Sequence, residues 1–196
     1  MINSNLVIGQ SITQFKPEVK EQHMSKETAT SVNRKKEIVS AAIEVFAEIG
    51  YYRATTAQVA ERASISQPYV YRFFTKESLL VEALGVAMQR ILQAFEDIIT
   101  TAPAEELESR LIGAYEQIMQ AHRNEILLQM QAYTIREEPV REAMRRGMEQ
   151  IQRTVYQAFE QAGIAEAAKR TSDFLARGIL CNVAMALDMP DLMAKN

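Results

Sequence analysis

Cysteine, histidine and tryptophan are almost missing from this chain: one, two and none, respectively, in 196 residues. A lone Cys181 excludes an intramolecular disulfide framework and fits a reducing compartment. It stands in the apolar run Gly178-Ile179-Leu180-Cys181-Asn182-Val183-Ala184 and reads as a small core residue. With only His23 and His122 beside it, no two-cysteine metal spacing and no His-Glu-x-x-His can be built. Gly-x-Ser-x-Gly and a phosphate-cradling glycine loop are also missing. No catalytic residue, metal ligand or cofactor is assigned, and an enzyme is disfavoured. No apolar stretch approaches the length of a membrane span. The N-terminus has neither a basic n-region nor a long apolar h-region. The expectation is a cytoplasmic protein with no membrane contact. Strand alternation, internal repeats and low-complexity runs are not found.

Basic charge is scarce overall, with a formal net charge of −3, but unevenly placed. Residues 34–76 hold seven Lys or Arg against four Glu, and residues 77–196 hold twelve against eighteen acidic residues. A basic end on an acidic body suits a phosphate-binding head. Hydrophobic residues make up 47% of the chain, ample for a core.

The apolar positions follow helical spacing throughout. Residues 1–32 are polar and weakly patterned apart from Leu6-Val7-Ile8, and are expected to form a flexible arm; Met24 could serve as an alternative start. A helix over about 34–49 carries Ile38, Ala42, Val45, Phe46 and Ile49 on one face and stops at Gly50. A long helix over about 76–100 follows the head, and four more are expected over about 103–120, 124–136, 139–162 and 165–187. Asn124 is placed at the second start and Gly163 closes the third. Glu142/Arg146 and Glu149/Arg153 look like helix-surface pairs.

Residues 55–79 are the most informative stretch. Thr55-Thr56-Ala57-Gln58 has the form of a capping box, Ser66 with Gln67-Pro68 marks a second start, and Thr75 a third. Two short helices around Ala63-Ser64-Ile65-Ser66 outline a helix-turn-helix, whose second helix enters the major groove of DNA. Base edges would meet Ser66, Gln67, Pro68 and Tyr69. Gln67 suits adenine, and Pro68 or Tyr69 a thymine methyl. Thr55 or Thr56 can hold a phosphate from the preceding helix N-terminus. Arg53 and Arg72 are further basic candidates, and Val70 and Phe74 should point inward.

The run Gly50-Tyr51, Thr55, Val59-Ala60, Ala63, Ile65-Ser66, Tyr71, Phe74, Lys76-Glu77, Leu79 resembles the DNA-binding signature of the TetR family of bacterial transcription regulators. Two positions depart from the family pattern, where glycine is usual: Ser64 in the turn and Pro68 after Gln67. The resemblance implies phosphate contacts for Tyr71 and Lys76. It implies an all-α fold made of a three-helix DNA-binding head over 33–75, a linker helix over 76–101, and a ligand-binding and dimerisation body over 102–196. It also implies a homodimer through about 139–162 and 165–187, a near-palindromic double-stranded operator, and repression relieved by a small apolar or amphipathic ligand. Candidate pocket residues are Phe95, Tyr115, Met119, Met130, Tyr133, Met144 and Met148. His122 can orient a polar ligand, although a solvated loop histidine is the plainer reading. The alternatives are a helical adaptor, or a DNA binder without an inducer.

Overall fold

The computed structural model describes the backbone of residues 18–193 and the side chains of residues 31–193. Among the described residues the chain is all-α, without a strand, as expected. Its helices are α1 (Glu18–Ile49), α2 (Thr56–Arg62), α3 (Gln67–Tyr71), α4 (Lys76–Thr101), α5 (Leu107–Ala121), α6 (Arg123–Ala132), α7 (Glu138–Gln161) and α8 (Ala167–Ala186). Short 3-10 turns at Ala104–Glu106 and Pro190–Leu192 precede α5 and follow α8. The chain divides into two units, Met1–Lys35 and Lys36–Asn196, and the second holds the head, α4 and the body together.

The first difference from expectation lies in α1. The sequence pattern places a flexible arm over 1–32, yet α1 is helical from Glu18. Residues 18–49 contain neither proline nor glycine and are rich in Glu, Lys and Ala. Once residues 34–49 are helical, extending backwards needs no new nucleus, so a polar stretch of good helix formers continues the helix without an apolar stripe. Residues 1–17, with Leu6-Val7-Ile8, lie outside the described residues.

The head forms because local stops and starts leave it no other path. Gly50 ends α1 at φ +80, a conformation glycine adopts without strain. Thr55 then caps α2: its Oγ1 accepts from the Gln58 amide at 3.2 Å, and its own amide donates to Gln58 Oε1 at 2.9 Å. Ser64 takes φ +55 in the turn, a left-handed conformation that costs a non-glycine residue about 1–2 kcal/mol. Ser66 is the N-cap of α3 by position, but its side chain makes no capping bond. Thr75 caps α4 through a reciprocal pair with Ser78. Ile38, Ala42, Val45 and Phe46 of α1 are buried with Val59, Ala60 and Val70, the inner face expected of the head. Arg62, at the end of α2, donates to Glu44 at 2.8 Å and to Glu48 at 2.7 Å on α1, a strut across the outside.

α4 is the axis of the remainder. Leu79, Leu80, Ala83, Leu84, Ala87, Met88, Ile91, Leu92 and Phe95 are all buried, and α5, α6 and α7 pack against it. By length and composition α4 is apolar enough to cross a membrane, contrary to the sequence expectation. Half of that apolar window is buried inside the protein. A helix that serves as the core for two sets of neighbours is apolar over more of its circumference than a one-sided surface helix. Phe174 of α8 lies edge-on to Phe95 (5.6 Å) and to Phe159 of α7 (6.1 Å), locking three helices at the centre of the body. α6 stops at Ala132, short of the expected 136, and the Thr134 hydroxyl donates to the Gln131 carbonyl at 3.0 Å. It starts at Arg123, with His122 rather than Asn124 at the N-cap. Glu142 reaches Arg146 at 3.7 Å.

Gly147 of α7 is buried against Met88 of α4, where an added Cβ would stand 2.8 Å from Met88 Cγ. Gly147→Ala gains about 1 kcal/mol of helix propensity but overpacks by about 1–3 kcal/mol. It should therefore lower stability by about 1 kcal/mol in thermal or denaturant unfolding. In a Met88→Ala background the same change should become neutral or stabilising. Equal effects in both backgrounds would show that the two helices are not in the close contact described.

Candidate DNA interface and ligand cleft

The tip of the head is built by α2, the turn and α3. Ser66, Pro68, Tyr71 and Arg72 are exposed, while Gln67 and Tyr69 are half-buried. Gln67 does not point freely outward. Its Nε2 donates to Thr56 Oγ1 at 3.1 Å and to Tyr71 OH at 3.3 Å. Both donor hydrogens are thus in use, and bidentate pairing with adenine requires exchanging one of them. Thr56 is 4% exposed, so its hydroxyl serves Gln67 and is not presented to a phosphate. Thr55 is exposed, its hydroxyl engaged in the cap. Tyr69 stacks edge-on against Phe73 at 5.2 Å, and the Arg72 guanidinium lies 5.9 Å from the Phe73 ring. Tyr71 is 59% exposed. Val70 is fully buried and Phe74 packs on the core, both inward as expected.

Lys76 is held in place before any DNA arrives. Its ammonium stands 4.7 Å from the Tyr51 ring centre and donates to the Tyr52 carbonyl at 3.2 Å. Further donors of the ammonium remain for a phosphate. Arg62, counted among the basic residues of the head, is committed to its two carboxylates. The guanidinium hydrogen bond holds the Glu48 carboxyl below its usual range, and bonds to Glu48 and Glu44 push Arg62 upward. Arg53 is exposed at the start of the same surface.

A cleft opens in the body between α4, α5, α6, α7 and α8. Phe95, Tyr115, Tyr133 and Met148 all line it; Met119, Met130 and Met144 do not. Met144 is buried in the core and Met119 packs against it. The space open to water in it is about 50 Å³, and the whole recess with its open mouth about 570 Å³. Four polar members escaped the sequence reading: Glu116, Gln129, Arg177 and Asn182. Asn182 carried a signal, being a polar residue inside an apolar run. It is buried and accepts from Tyr115 OH at 2.8 Å. Gln129 and Arg177 looked like ordinary polar positions on helices. Cys181 also reaches the wall, and burial pushes its thiol up, so it is a poor nucleophile.

Two polar contacts join head to body, and a third joins α4 to the body. Gln131 Nε2 donates to the Ala47 carbonyl at 3.0 Å, Tyr52 OH to Glu137 at 2.9 Å, and Arg90 of α4 donates to buried Glu125 of α6. His122 Nδ1 lies 3.0 Å from the other Glu125 oxygen. It belongs to this junction and neither lines the cleft nor sits in a solvated loop.

Residues 38–84 match the family described as "Bacterial regulatory proteins, tetR family". The chain is 30% identical over 101 residues to the HTH-type transcriptional regulator HbdR of Aromatoleum sp. (strain CIB), covering 48% of this chain and 42% of that protein. It is 28% identical over 90 residues to the fatty acid metabolism regulator protein of Bacillus subtilis (strain 168), covering 45% and 46%. The aligned part thus spans less than half the length of these curated relatives. Its fold is similar to that of the fatty acid degradation regulator FadR from Bacillus halodurans, with a TM-score of 0.71 at 18% identity, over 81% of this chain and 88% of that one. It is also similar to FadR from Bacillus subtilis in complex with stearoyl-CoA, with a TM-score of 0.68 at 20% identity, over 80% and 90%. The relatives named here are transcription regulators and not enzymes.

Burial raises the Tyr115 phenol to about 12, against the opposing hydrogen bond to Asn182. A folded pKa above the unfolded value contributes stability that is complete below the unfolded pKa of about 10 and is lost as pH rises through the folded one. The wild type should therefore lose stability between about pH 10 and 12 more steeply than Tyr115→Phe. Denaturant unfolding across that range measures it, and parallel slopes would contradict the burial of this phenol.

Proposed function

We propose that the chain, whose residues 38–84 match the tetR family of bacterial regulatory proteins, is a regulator of that family and represses transcription as a homodimer on a near-palindromic operator. In this reading it works on chromosomal DNA in the cytoplasm, and a small apolar or amphipathic ligand in the body releases it. The observation that carries the DNA reading is the presentation of α3. Ser66, Gln67, Pro68 and Tyr69 stand at its start, Tyr71 is exposed at its end, and Lys76 is braced beside them by Tyr51 and Tyr52. Base reading falls to Gln67 with Pro68 and Tyr69. Phosphate binding falls to Tyr71, Lys76, Arg72 and the helix start at Thr55.

One head spans only a few base pairs, so specificity requires two. The dimer reading is supported by the outer face of α8, where Ile179, Leu180 and Leu187 are 43%, 43% and 60% exposed. Leu180 and Leu187 are two turns apart and share a face. Large apolar side chains grouped this way mark an interaction surface. With α7 beside it, α8 can form a four-helix bundle across a two-fold axis.

The ligand reading is supported by the cleft and by where α4 lies within it. Ile91 and Phe95 form part of the cleft wall, and Lys76 sits at the other end of the same helix. Lys76 and Ile91 are about 22 Å apart along the axis at the usual rise per residue. A ligand that displaces the wall therefore tilts the element that carries a phosphate anchor, and the spacing of two heads changes. The apolar walls suit an acyl chain, in keeping with fold neighbours named as fatty acid regulators.

Gln67→Ala should weaken binding to the selected operator by about 1–3 kcal/mol and affect random DNA little. Lys76→Ala should weaken both about equally and reduce the salt slope by about one. Uniform loss in both variants, measured by salt-titrated shift assays on DNA selected from a random pool, would overturn this division of roles. For the dimer, light scattering should give twice the chain mass at micromolar concentration, and Leu180→Glu should shift it to the monomer. A wild-type monomer would remove the model.

A further inference from the structure

The cleft contains an unanswered demand for an acceptor. Nearly all buried polar groups in folded proteins find a hydrogen-bond partner, and one left unpaired in low dielectric is costly. Three buried side-chain atoms find none among the described residues: Gln129 Nε2, Arg177 Nε and Gln131 Oε1. Gln131 Oε1 lies elsewhere, at the head–body junction. The other two belong to residues that line the cleft, from α6 and α8, and the atoms themselves are out of reach of water. Both are donors, and one belongs to a permanent cation. Gln129 is 2% exposed, so bulk water does not satisfy it. Among the described residues Arg177 has no carboxylate within ion-pair distance, although Arg170, two turns earlier on α8, pairs with Glu108 of α5.

We infer that the cleft is a site for a small free carboxylic acid. Its carboxylate accepts from Gln129 Nε2 and Arg177 Nε, and its apolar part lies between Phe95, Ile112, Met148 and Phe174. The inference rests on the reading of this cleft as the ligand site and names the chemistry of that ligand. A carboxylate is acceptor-only and can take both donors at once, and its charge answers the guanidinium. The water-accessible space of about 50 Å³ holds only a few waters. It accommodates a headgroup, and the apolar tail extends along the open cleft, where Met148 and Ile112 are only partly buried and Met148 has the torsional freedom to move aside. A coenzyme A thioester lacks the free carboxylate and so offers the two donors no charged acceptor at its acyl end. Glu116 also reaches the cleft wall but is exposed, so water screens its charge, and the buried donors set the preference.

The test is calorimetric titration of the full chain with octanoate and phenylacetate, each against its primary amide, with octanoyl-CoA as a further arm. Each acid should bind saturably and at least tenfold more tightly than its amide. Arg177→Met should bring that ratio close to one. Gln129→Leu should weaken acid and amide together while keeping the ratio above one. Circular dichroism confirms that the variants are folded, and the wild-type acid-to-amide ratio decides the matter without any variant. Equal affinity for acid and amide, tighter binding of octanoyl-CoA than octanoate, no saturable binding of either acid, or a ratio unchanged in Arg177→Met would each overturn the inference. A parallel shift assay separates the readings. DNA binding without acid binding sinks this inference and leaves the regulator standing. Acid binding without DNA binding supports it and sinks the regulator.

Discussion

Everything in this molecule depends on the burial of one apolar stripe along α4. Leu79 and Leu80 at its start complete the small core of the head, and Ile91, Leu92 and Phe95 near its end form the floor of the body. The contacts between are continuous, and a single buried cluster runs from Ile38 of α1 to Phe174 of α8. The head alone is too small to bury much surface, so it borrows stability from α4. Close-packed interiors deform little. A change in the wall of the cleft at Phe95 is therefore passed along a stiff helix instead of being absorbed locally.

The polar contacts at the junction have a different character. Tyr52 with Glu137 lies at the surface, whereas Gln131 with Ala47 and Arg90 with buried Glu125 are part-buried. Exposed bonds of the first kind are individually weak. Together these contacts add polar pairing to the apolar cluster that runs through head, α4 and body. Lys76 sits within the same region, held by the Tyr51 ring and the Tyr52 carbonyl. The loop that holds Lys76 also reaches the body, where the Tyr52 hydroxyl donates to Glu137.

Much of the fold was legible in the sequence, because its determinants are local. Gly50 and Gly163 stop helices at positive φ, and Thr55 and Thr75 start them with side-chain caps. The apolar stripes of α1, α4 and α7 were countable at helical spacing. Residues 18–32 were missed because a polar stretch of good helix formers has no stripe to count. In the candidate DNA site, the exposed residues at the tip of α3 were found, but not that Thr56 is buried or that Gln67 spends both donors on Thr56 and Tyr71. In the cleft, Phe95, Tyr115, Tyr133 and Met148 were separable from Met119, Met130 and Met144 only once the helices were placed.

Sequence alone determined where helices begin, where they end and which side of each is apolar, since those properties depend on residues within about a turn of one another. It also determined that a helix-turn-helix sits ahead of a long linker helix. Tertiary structure decided which side chains face one another across the gaps between helices. It brought Gln129 of α6 and Arg177 of α8 to one cleft and left both donors without an acceptor. A stripe says that a residue faces inward. Only the packing of other helices against it says what it meets there, and whether a polar group arriving in that place is satisfied or left waiting for a ligand.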